Sequence, residues 1–174
     1  YGWLQDKKKF YWLTSMGFCV VFSLSFPLAR GLLPQAKLEW LHFDVGQGLA
    51  TAFVYPDSGK RKAIFYDTGA SWQEGSMAKL EIIPYLKRQG IEIEAIFVSH
   101  DDNDHAGGVK DLLAEYPQAT LISSRKKHDV ARPAEPCIAG KAWQFGELSL
   151  QAIYPIQPVE RAKNEDSCVL LAEI

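Results

Sequence analysis

The sequence lacks a strong charge of one sign, internal repeats and long low-complexity stretches. Its 174 residues contain 19 Lys and Arg against 21 Asp and Glu, which gives a formal net charge of −2. Proteins that coat nucleic acid through its phosphates are basic throughout, so the composition excludes that class. Hydrophobic residues make up 47% and charged residues 23% of the chain, which excludes a disordered or collagen-like protein. The length suits one domain, or one domain with an appended segment.

The charge is unevenly distributed along the chain. Residues 1–37 carry five basic side chains and one acid, a local charge of +4, so the remainder carries −6. Within this region, residues 10–29 contain no charged side chain, and a helix of that length spans about 30 Å, the thickness of the hydrocarbon core of a bilayer. Three lysines at 7–9 precede the segment, and Tyr11 and Trp12 lie near its start, where an aromatic belt is expected. This order predicts a transmembrane helix whose lysine end is cytoplasmic.

Two other interpretations of the apolar segment stay open. A cleaved signal peptide has the same basic-then-apolar order, although Asp6 and the length of the segment fit it less well. A buried core helix is the third interpretation, and the missing polar face weakens it. Because the chain begins at Tyr1 and ends within the apolar run 168–174, we also expect it to be a piece of a longer protein.

After residue 37, strand and helix patterns alternate first, and strand patterns dominate later. Apolar, β-rich runs at 38–45 and 50–55 predict paired strands, and helical periodicity predicts helices at 77–89 and 107–116. Further strands are expected at 62–67, 94–99, 119–123, 143–154 and 167–172, with a polar loop at 125–141. This order of elements favours a layered α/β fold.

The densest polar cluster in the sequence is SHDDNDHAGG at 99–108. It follows an apolar strand directly and precedes a helix, which is where open α/β folds build their sites. Residues 100–105 contain two imidazoles and three carboxylates, which repel and desolvate one another unless a cation lies among them. The cluster therefore predicts one or two divalent metal ions. Imidazole suits zinc, manganese or iron, and carboxylates favour harder ions.

Two simpler explanations of this cluster account for less of it. Asp102 or Asp104 could cap the following helix, but capping needs one acid and explains neither histidine. The Asp-x-Asn-Asp order resembles the start of an EF-hand calcium loop, but the later Gly and Glu are missing and histidines are foreign to that loop. Metal binding remains the favoured interpretation.

A further motif, Asp-Thr-Gly at 67–69, is by itself a common turn after a strand. Taken with HFDVGQG at 42–48 and the cluster at 99–108, it resembles the metallo-β-lactamase superfamily. That superfamily follows an Asp-Thr-Gly turn with a His-x-His-x-Asp-His metal motif at a strand-to-helix junction. Here Asp102 replaces the second histidine. This replacement, together with SCVL at 167–170, is similar to the carboxy-terminal domain of the ComEC/Rec2 family of DNA-uptake proteins.

The resemblance covers roughly residues 38–174 and implies the fold and the domain organisation. The expected fold is a four-layer metallo-β-lactamase-like αβ/βα sandwich, incomplete at its carboxyl end. Residues 1–37 would form the preceding transmembrane helix with its basic flank. The family also implies a location in the bacterial inner membrane, with residues 38–174 on the non-cytoplasmic side.

The resemblance also implies the residues of a site for two divalent metal ions. By position in the motif, His100 and Asp102 would bind one ion, and Asp104 and His105 the second. Asp104 would in addition orient or deprotonate the attacking water, and Asp67 would support the cluster from behind. Manganese or zinc is expected, with magnesium as the alternative. The further ligands of the superfamily would lie beyond the end of this sequence.

The function implied by the family is DNA internalisation in natural competence. The domain would be a metal-dependent nuclease, a phosphodiester hydrolase, and its partners would be single-stranded DNA, the membrane and other competence proteins. Two alternatives stay open. One is a hydrolase of a small substrate such as a thioester, which would need a narrow apolar pocket. The other is a non-catalytic module that guides DNA through the channel.

Two of the three cysteines, Cys137 and Cys168, lie in the second region of the chain, and Cys19 lies in the apolar segment. If the domain faces an oxidising compartment, Cys137 and Cys168 can form a disulfide. Two buried free thiols are the alternative, because sequence does not determine connectivity.

Residues Arg125, Lys126 and Lys127 form the one basic run in an otherwise acidic domain. Such a run can hold the phosphate backbone of DNA near a metal site. A solvated loop explains it equally well. We therefore treat these three residues as candidate DNA contacts, and we expect His42, on an early strand, to be structural.

Overall fold

Two β-sheets organise the part of the chain that the computed structural model describes, residues 38–126 and 133–174. These residues belong to one unit, Lys37–Ile174. The predicted transmembrane segment 10–29 and the candidate DNA contact Lys127 lie outside the described residues. In the part that is described, no helix is long and apolar enough to cross a bilayer.

The larger sheet has six strands in the order β1-β2-β3-β6-β7-β8, and the smaller has three in the order β11-β10-β9. The first three strands of the larger sheet pair antiparallel, and β3, β6, β7 and β8 pair parallel. Strands β4 and β5 form a separate two-stranded ribbon. The strands are β1 (Glu39–His42), β2 (Thr51–Asp57), β3 (Lys60–Tyr66), β4 (Ser71–Trp72), β5 (Gly75–Ser76), β6 (Ile91–Val98), β7 (Thr120–Ser123), β8 (Glu135–Pro136), β9 (Ala142–Phe145), β10 (Leu148–Tyr154) and β11 (Val169–Glu173).

The helices are short and belong to the crossovers of the parallel strands. Between β5 and β6 a π-helical turn, Ala78–Ile82, continues into α1 (Ile83–Gln89). Gly90 ends α1 in the left-handed conformation at φ 62°, as the sequence predicts. Between β6 and β7 lie α2 (Asn103–Ala106) and α3 (Val109–Glu115), and a 3-10 turn at Asn164–Asp166 precedes β11.

The central strands are buried on both faces, because their residues alternate between two hydrophobic cores. Phe65 and Ile96 pack in a core with the buried residues of α1 and α3. Their neighbours Ile64 and Phe97 pack in a second core with the residues of the smaller sheet. The described residues therefore form helix, sheet and sheet layers, which are three of the four layers expected for the αβ/βα sandwich.

Three elements differ from the sequence-based expectations. The strand expected at 143–154 is the hairpin β9–β10, which turns at Gly146 with φ 59°. The strand expected at 38–45 ends at His42, and the chain then runs as a loop to residue 50. The helix expected at 107–116 is α3, Val109–Glu115, and a separate short helix that the sequence did not predict, α2, begins inside the polar cluster. The last two differences shape the site.

Candidate metal centre

The polar cluster lies at the carboxyl edge of the larger sheet, where the parallel strands β3 and β6 end. Asp67 follows β3, and Ser99 and His100 follow β6. The backbone N–H of Asp67 donates a hydrogen bond to the carbonyl of Phe97 at 2.9 Å, which holds the two strand ends together. The chain then turns into α2, which carries His105 back toward Asp67. The position predicted from the strand-to-helix order is the position of the cluster in the structure.

Asp67 is the buried anchor of the cluster. Its side chain has no solvent exposure and accepts three hydrogen bonds. The Ser99 backbone N–H donates to Oδ1 at 2.7 Å, while the Ser99 hydroxyl and His105 Nδ1 each lie 2.7 Å from Oδ2. A buried carboxylate is tolerable only when donors satisfy it in this way. Asp67 therefore joins the ends of β3 and β6 to helix α2.

The four candidate ligands lie in two neighbouring pairs. His100 Nε2 is 3.4 Å from Asp102 Oδ2, and His105 Nε2 is 3.8 Å from Asp104 Oδ2. The two imidazole rings lie side by side, with their centroids 4.2 Å apart. His100 is buried, whereas the two carboxylates are partly exposed. The structure thus brings together the same two pairs that the motif assigns to two separate ions.

The donor atoms of the cluster are of the types that divalent metal ions prefer, but each pair supplies fewer ligands than an ion needs. Each pair offers one imidazole nitrogen and one carboxylate, a combination suited to manganese or zinc. Both imidazoles use Nδ1 for a neighbouring oxygen, an arrangement that orients metal-binding histidines. Among residues 38–126 and 133–174, no group of three or more His, Cys, Asp or Glu side chains forms a metal site. Each ion would therefore need further ligands in addition to its pair.

Asp102 does not use its side chain to cap α2. It occupies the position before the first residue of the helix, but its carboxylate makes no capping hydrogen bond there. The carboxylate instead faces His100, and Asn164 Nδ2 approaches Oδ2 at 3.5 Å. The capping interpretation therefore does not account for this acid.

The glycine loop before β2, residues 46–48, contacts the backbone of the cluster directly. Leu49 donates its N–H to the carbonyl of Asp104 at 3.2 Å. Gly48, at φ 109°, approaches so closely that a Cβ there would lie 2.0 Å from the same carbonyl oxygen. A Cβ on Gly107 would likewise lie 2.4 Å from the backbone nitrogen of Ser71. The two glycine motifs therefore allow backbone segments on both sides to pack against the cluster.

Thr68 and Ser99 are two residues of the site to which the sequence analysis gave no role. Thr68 donates both its N–H, at 2.8 Å, and its hydroxyl, at 3.0 Å, to the carbonyl of His105, and it accepts from the N–H of Gly108. Ser99 lies between Asp67 and His100. The Asp-Thr-Gly motif was the available signal for Thr68. Ser99 had none beyond its place beside the first histidine.

The remaining acid of the cluster, Asp101, faces a different part of the chain. Its backbone N–H donates to the carbonyl of Ala162 at 2.8 Å, and its Oδ2 accepts the N–H of Ala162, also at 2.8 Å. The same Oδ2 lies 3.6 Å from Arg125 Nε. Lys126 pairs with Glu160 at 2.9 Å. The two described candidates for DNA contact thus have acidic partners within the chain, and their contact with DNA remains a prediction.

The structure contains a disulfide between Cys137 and Cys168, both fully buried. The N–H of Cys168 donates to the carbonyl of Ser99 at 2.8 Å, and the Tyr66 hydroxyl donates to the carbonyl of Cys168 at 2.6 Å. Burial, and then the nearby Asp67 carboxylate, raises the pKa of the Tyr66 phenol, so it stays a neutral donor. The disulfide joins the chain after β8 to the chain before β11, and the two hydrogen bonds of Cys168 hold this bridge against the strand ends that carry Asp67 and His100.

Comparison with known proteins identifies the family. The model of the metallo-beta-lactamase superfamily matches residues 44–172. Recombination protein 2 of Haemophilus influenzae is 48% identical over 130 residues, which are 75% of this chain and 16% of the relative. YcaI of Escherichia coli is 36% identical over 164 residues, 91% of this chain and 20% of the relative. ComE operon protein 3 of Bacillus subtilis is 27% identical over 155 residues, 75% of this chain and 20% of the relative.

The chain thus spans a fifth or less of the length of these relatives. The similarity to Recombination protein 2 and to ComE operon protein 3 confirms the predicted resemblance to the ComEC/Rec2 family. The family match covers the chain from the loop before β2 into β11, including the whole polar cluster, and leaves out β1. The chain belongs to the metallo-β-lactamase superfamily, and it is similar to the part of the ComEC/Rec2 proteins that carries this domain.

Proposed function

We propose that this chain is the metal-dependent nuclease domain of a membrane DNA-uptake protein and acts in DNA internalisation during natural competence. The observation that carries the proposal is the pairing of two imidazoles with two carboxylates around one buried aspartate. Phosphodiester hydrolysis suits such a centre, because two neighbouring cations can neutralise the charge that builds up on the phosphate. The similarity to Recombination protein 2 and ComE operon protein 3 supports DNA as the substrate.

Each residue of the cluster has a separate task in this proposal. His100 and Asp102 would hold one divalent ion, and His105 and Asp104 the other. The ions, manganese or zinc with magnesium as the alternative, would polarise the phosphoryl oxygens and lower the pKa of bound water. Asp104, whose carboxylate is about one-third exposed, would orient the attacking water and accept its proton. Asp67 holds the His105 ring in place from the buried side.

The proposed setting is the bacterial inner membrane, with residues 38–174 on the non-cytoplasmic side. Single-stranded DNA, the membrane and other competence proteins are the proposed partners. The basic-then-apolar order of residues 7–29 supports a membrane anchor. The disulfide supports an oxidising compartment for the domain.

The small-substrate hydrolase gains no support from the described cavities. An apolar cavity of about 250 Å³ lies between the two sheets, and none of the candidate ligands lines it. Its lining residues include Trp40, Phe53, Tyr66, Phe97, Leu150 and Val169. Because none of the candidate ligands lines this cavity, it offers no place for the acyl part of a thioester beside the metal ions.

Replacing the proposed catalytic aspartate tests the nuclease function. We expect metal-free protein to cleave a labelled single-stranded DNA only after addition of manganese, zinc or magnesium. Asp104→Ala should lower the cleavage rate at least about 100-fold, because it removes both a metal ligand and the proton acceptor. Asp57→Ala, at the last residue of β2 and at the edge of the sheet opposite the cluster, is the matched control and should retain the wild-type rate.

Two results would contradict this assignment. Equal cleavage by wild type and Asp104→Ala would remove the catalytic role from Asp104. Metal binding without cleavage under any of the three metals would favour the non-catalytic, DNA-guiding module instead.

A further inference from the structure

The hydroxyl of Ser99 bridges the buried carboxylate and the first histidine of the cluster. Ser99 Oγ lies 2.7 Å from Asp67 Oδ2 and 2.8 Å from His100 Nδ1. All three residues are at most 5% exposed. Solvent therefore does not compete for these contacts, and each hydrogen bond must be made within the group.

The number of available hydrogens determines which group donates in each of the two hydrogen bonds of the Ser99 hydroxyl. Three donors converge on the Asp67 carboxylate, which in its ionised form can only accept. The single hydrogen of the Ser99 hydroxyl is therefore directed to Asp67 Oδ2. The oxygen of Ser99 then faces His100 as an acceptor, so His100 Nδ1 must carry a hydrogen. The reverse direction would leave two acceptor oxygens 2.7 Å apart with no hydrogen between them.

The same carboxylate determines directly which ring nitrogen of the second histidine, His105, carries the hydrogen. His105 Nδ1 lies 2.7 Å from Asp67 Oδ2, so this nitrogen also carries a hydrogen. In a neutral imidazole with a hydrogen on Nδ1, the lone pair lies on Nε2. These are the nitrogens that face Asp102 and Asp104, at 3.4 and 3.8 Å.

We propose that Ser99 is a positioning residue whose hydroxyl links the Asp67 carboxylate to His100 through two hydrogen bonds, an arrangement we call the relay. Through it, one buried acid fixes the tautomer of both metal-binding histidines. The proposal rests on the proposed metal centre, because binding a metal ion through Nε2 requires the lone pair on that nitrogen. It assigns Ser99 a role through His100 and not through substrate. Without the Ser99 hydroxyl, Nδ1 of His100 loses its acceptor and the ring populates both tautomers.

The tautomers can be measured in the absence of metal. Two-bond proton–nitrogen correlation spectra of the ¹⁵N-labelled, metal-free full chain, recorded where the imidazoles are neutral, report which ring nitrogen carries the hydrogen. We expect the Nδ1–H form for His100 and His105 in the wild type. Ser99→Ala should convert His100 to a mixture or to the Nε2–H form and leave His105 unchanged. Ser99→Thr, which keeps the hydroxyl, should restore the wild-type spectrum of His100.

A metal titration of the same proteins gives the second readout. Ser99→Ala should weaken binding of Mn²⁺ about 10- to 100-fold, the usual effect of losing a partner behind a metal-binding histidine, and Ser99→Thr should recover it. Ser76→Ala, at another buried serine that binds Asp111, is the matched control and should leave Mn²⁺ affinity unchanged.

The outcomes distinguish failure of the Ser99 relay from failure of the proposed nuclease function. A wild-type His100 with its hydrogen on Nε2 overturns the relay, and this result needs no variant to fold. An unchanged His100 tautomer in Ser99→Ala also overturns it. Predicted tautomers together with a relay-dependent Mn²⁺ affinity support it, even if no DNA is cleaved, in which case the nuclease function alone fails.

Discussion

Asp67→Ala is expected to lower the free energy of unfolding by about 3–5 kcal/mol, the usual cost of removing one partner from a buried charged network. The substitution leaves the Ser99 N–H, the Ser99 hydroxyl and His105 Nδ1 without their acceptor, where Asp67 and Ser99 are buried and the His105 side chain is 23% exposed. Each buried donor left unsatisfied costs about 1–3 kcal/mol, and rearrangement recovers part of the sum. Urea unfolding of the metal-free protein, followed by tryptophan fluorescence, measures the change.

The control for Asp67→Ala is an aspartate of similar chemistry outside the site. Asp57, at the turn between β2 and β3, is partly exposed and pairs with Lys62. Asp57→Ala should change the free energy of unfolding far less than Asp67→Ala, because exposed ion pairs contribute little. A loss below about 1 kcal/mol for Asp67→Ala would contradict the role of Asp67 as the buried anchor.

Gly48→Ala is expected to damage both stability and metal binding. At φ 109° an L-residue is strained, and the new Cβ would lie 2.0 Å from the carbonyl oxygen of Asp104. Strain and overpacking together should cost at least about 2 kcal/mol. Because helix α2, which carries Asp104, must move to relieve the contact, Mn²⁺ affinity should fall about tenfold or more. Urea unfolding and a Mn²⁺ titration measure the two effects.

Gly46→Ala provides a matched control within the same loop. Gly46 also has a positive φ, 68°, but a Cβ there would meet nothing within 4 Å. Its substitution should therefore cost about 1 kcal/mol of backbone strain and leave Mn²⁺ affinity unchanged. If Gly48→Ala and Gly46→Ala behave alike in both measurements, the contact between the glycine loop and Asp104 has no importance for the site.

The sequence predicts the local features of the site well, because they depend on neighbours along the chain. The apolar run before His100 and the helix pattern after it are enough to locate the cluster at a strand-to-helix junction. Gly90 ends α1 by a capping rule that needs no tertiary information. The family resemblance adds Asp67, whose motif alone is a common turn.

The features that the sequence does not predict are long-range contacts. Gly48 meets the backbone of Asp104, 56 positions further along the chain, and Tyr66 donates to Cys168 across 102 positions. No periodicity or turn rule predicts contacts between residues so far apart in the sequence. Gly107 likewise packs against the backbone near Ser71, 36 positions earlier in the chain.

Equilibrium binding of Mn²⁺ and Zn²⁺ to the metal-free protein tests the central claim most directly, namely that the cluster is a divalent metal centre. The comparison is between wild type, the double variant His100→Ala/His105→Ala, and His42→Ala, which replaces an exposed histidine on β1. We predict that wild type and His42→Ala bind both metals equally well and that the double variant binds each at least about 100-fold more weakly. Equal affinity in the double variant, or no binding by the wild type, would contradict the account.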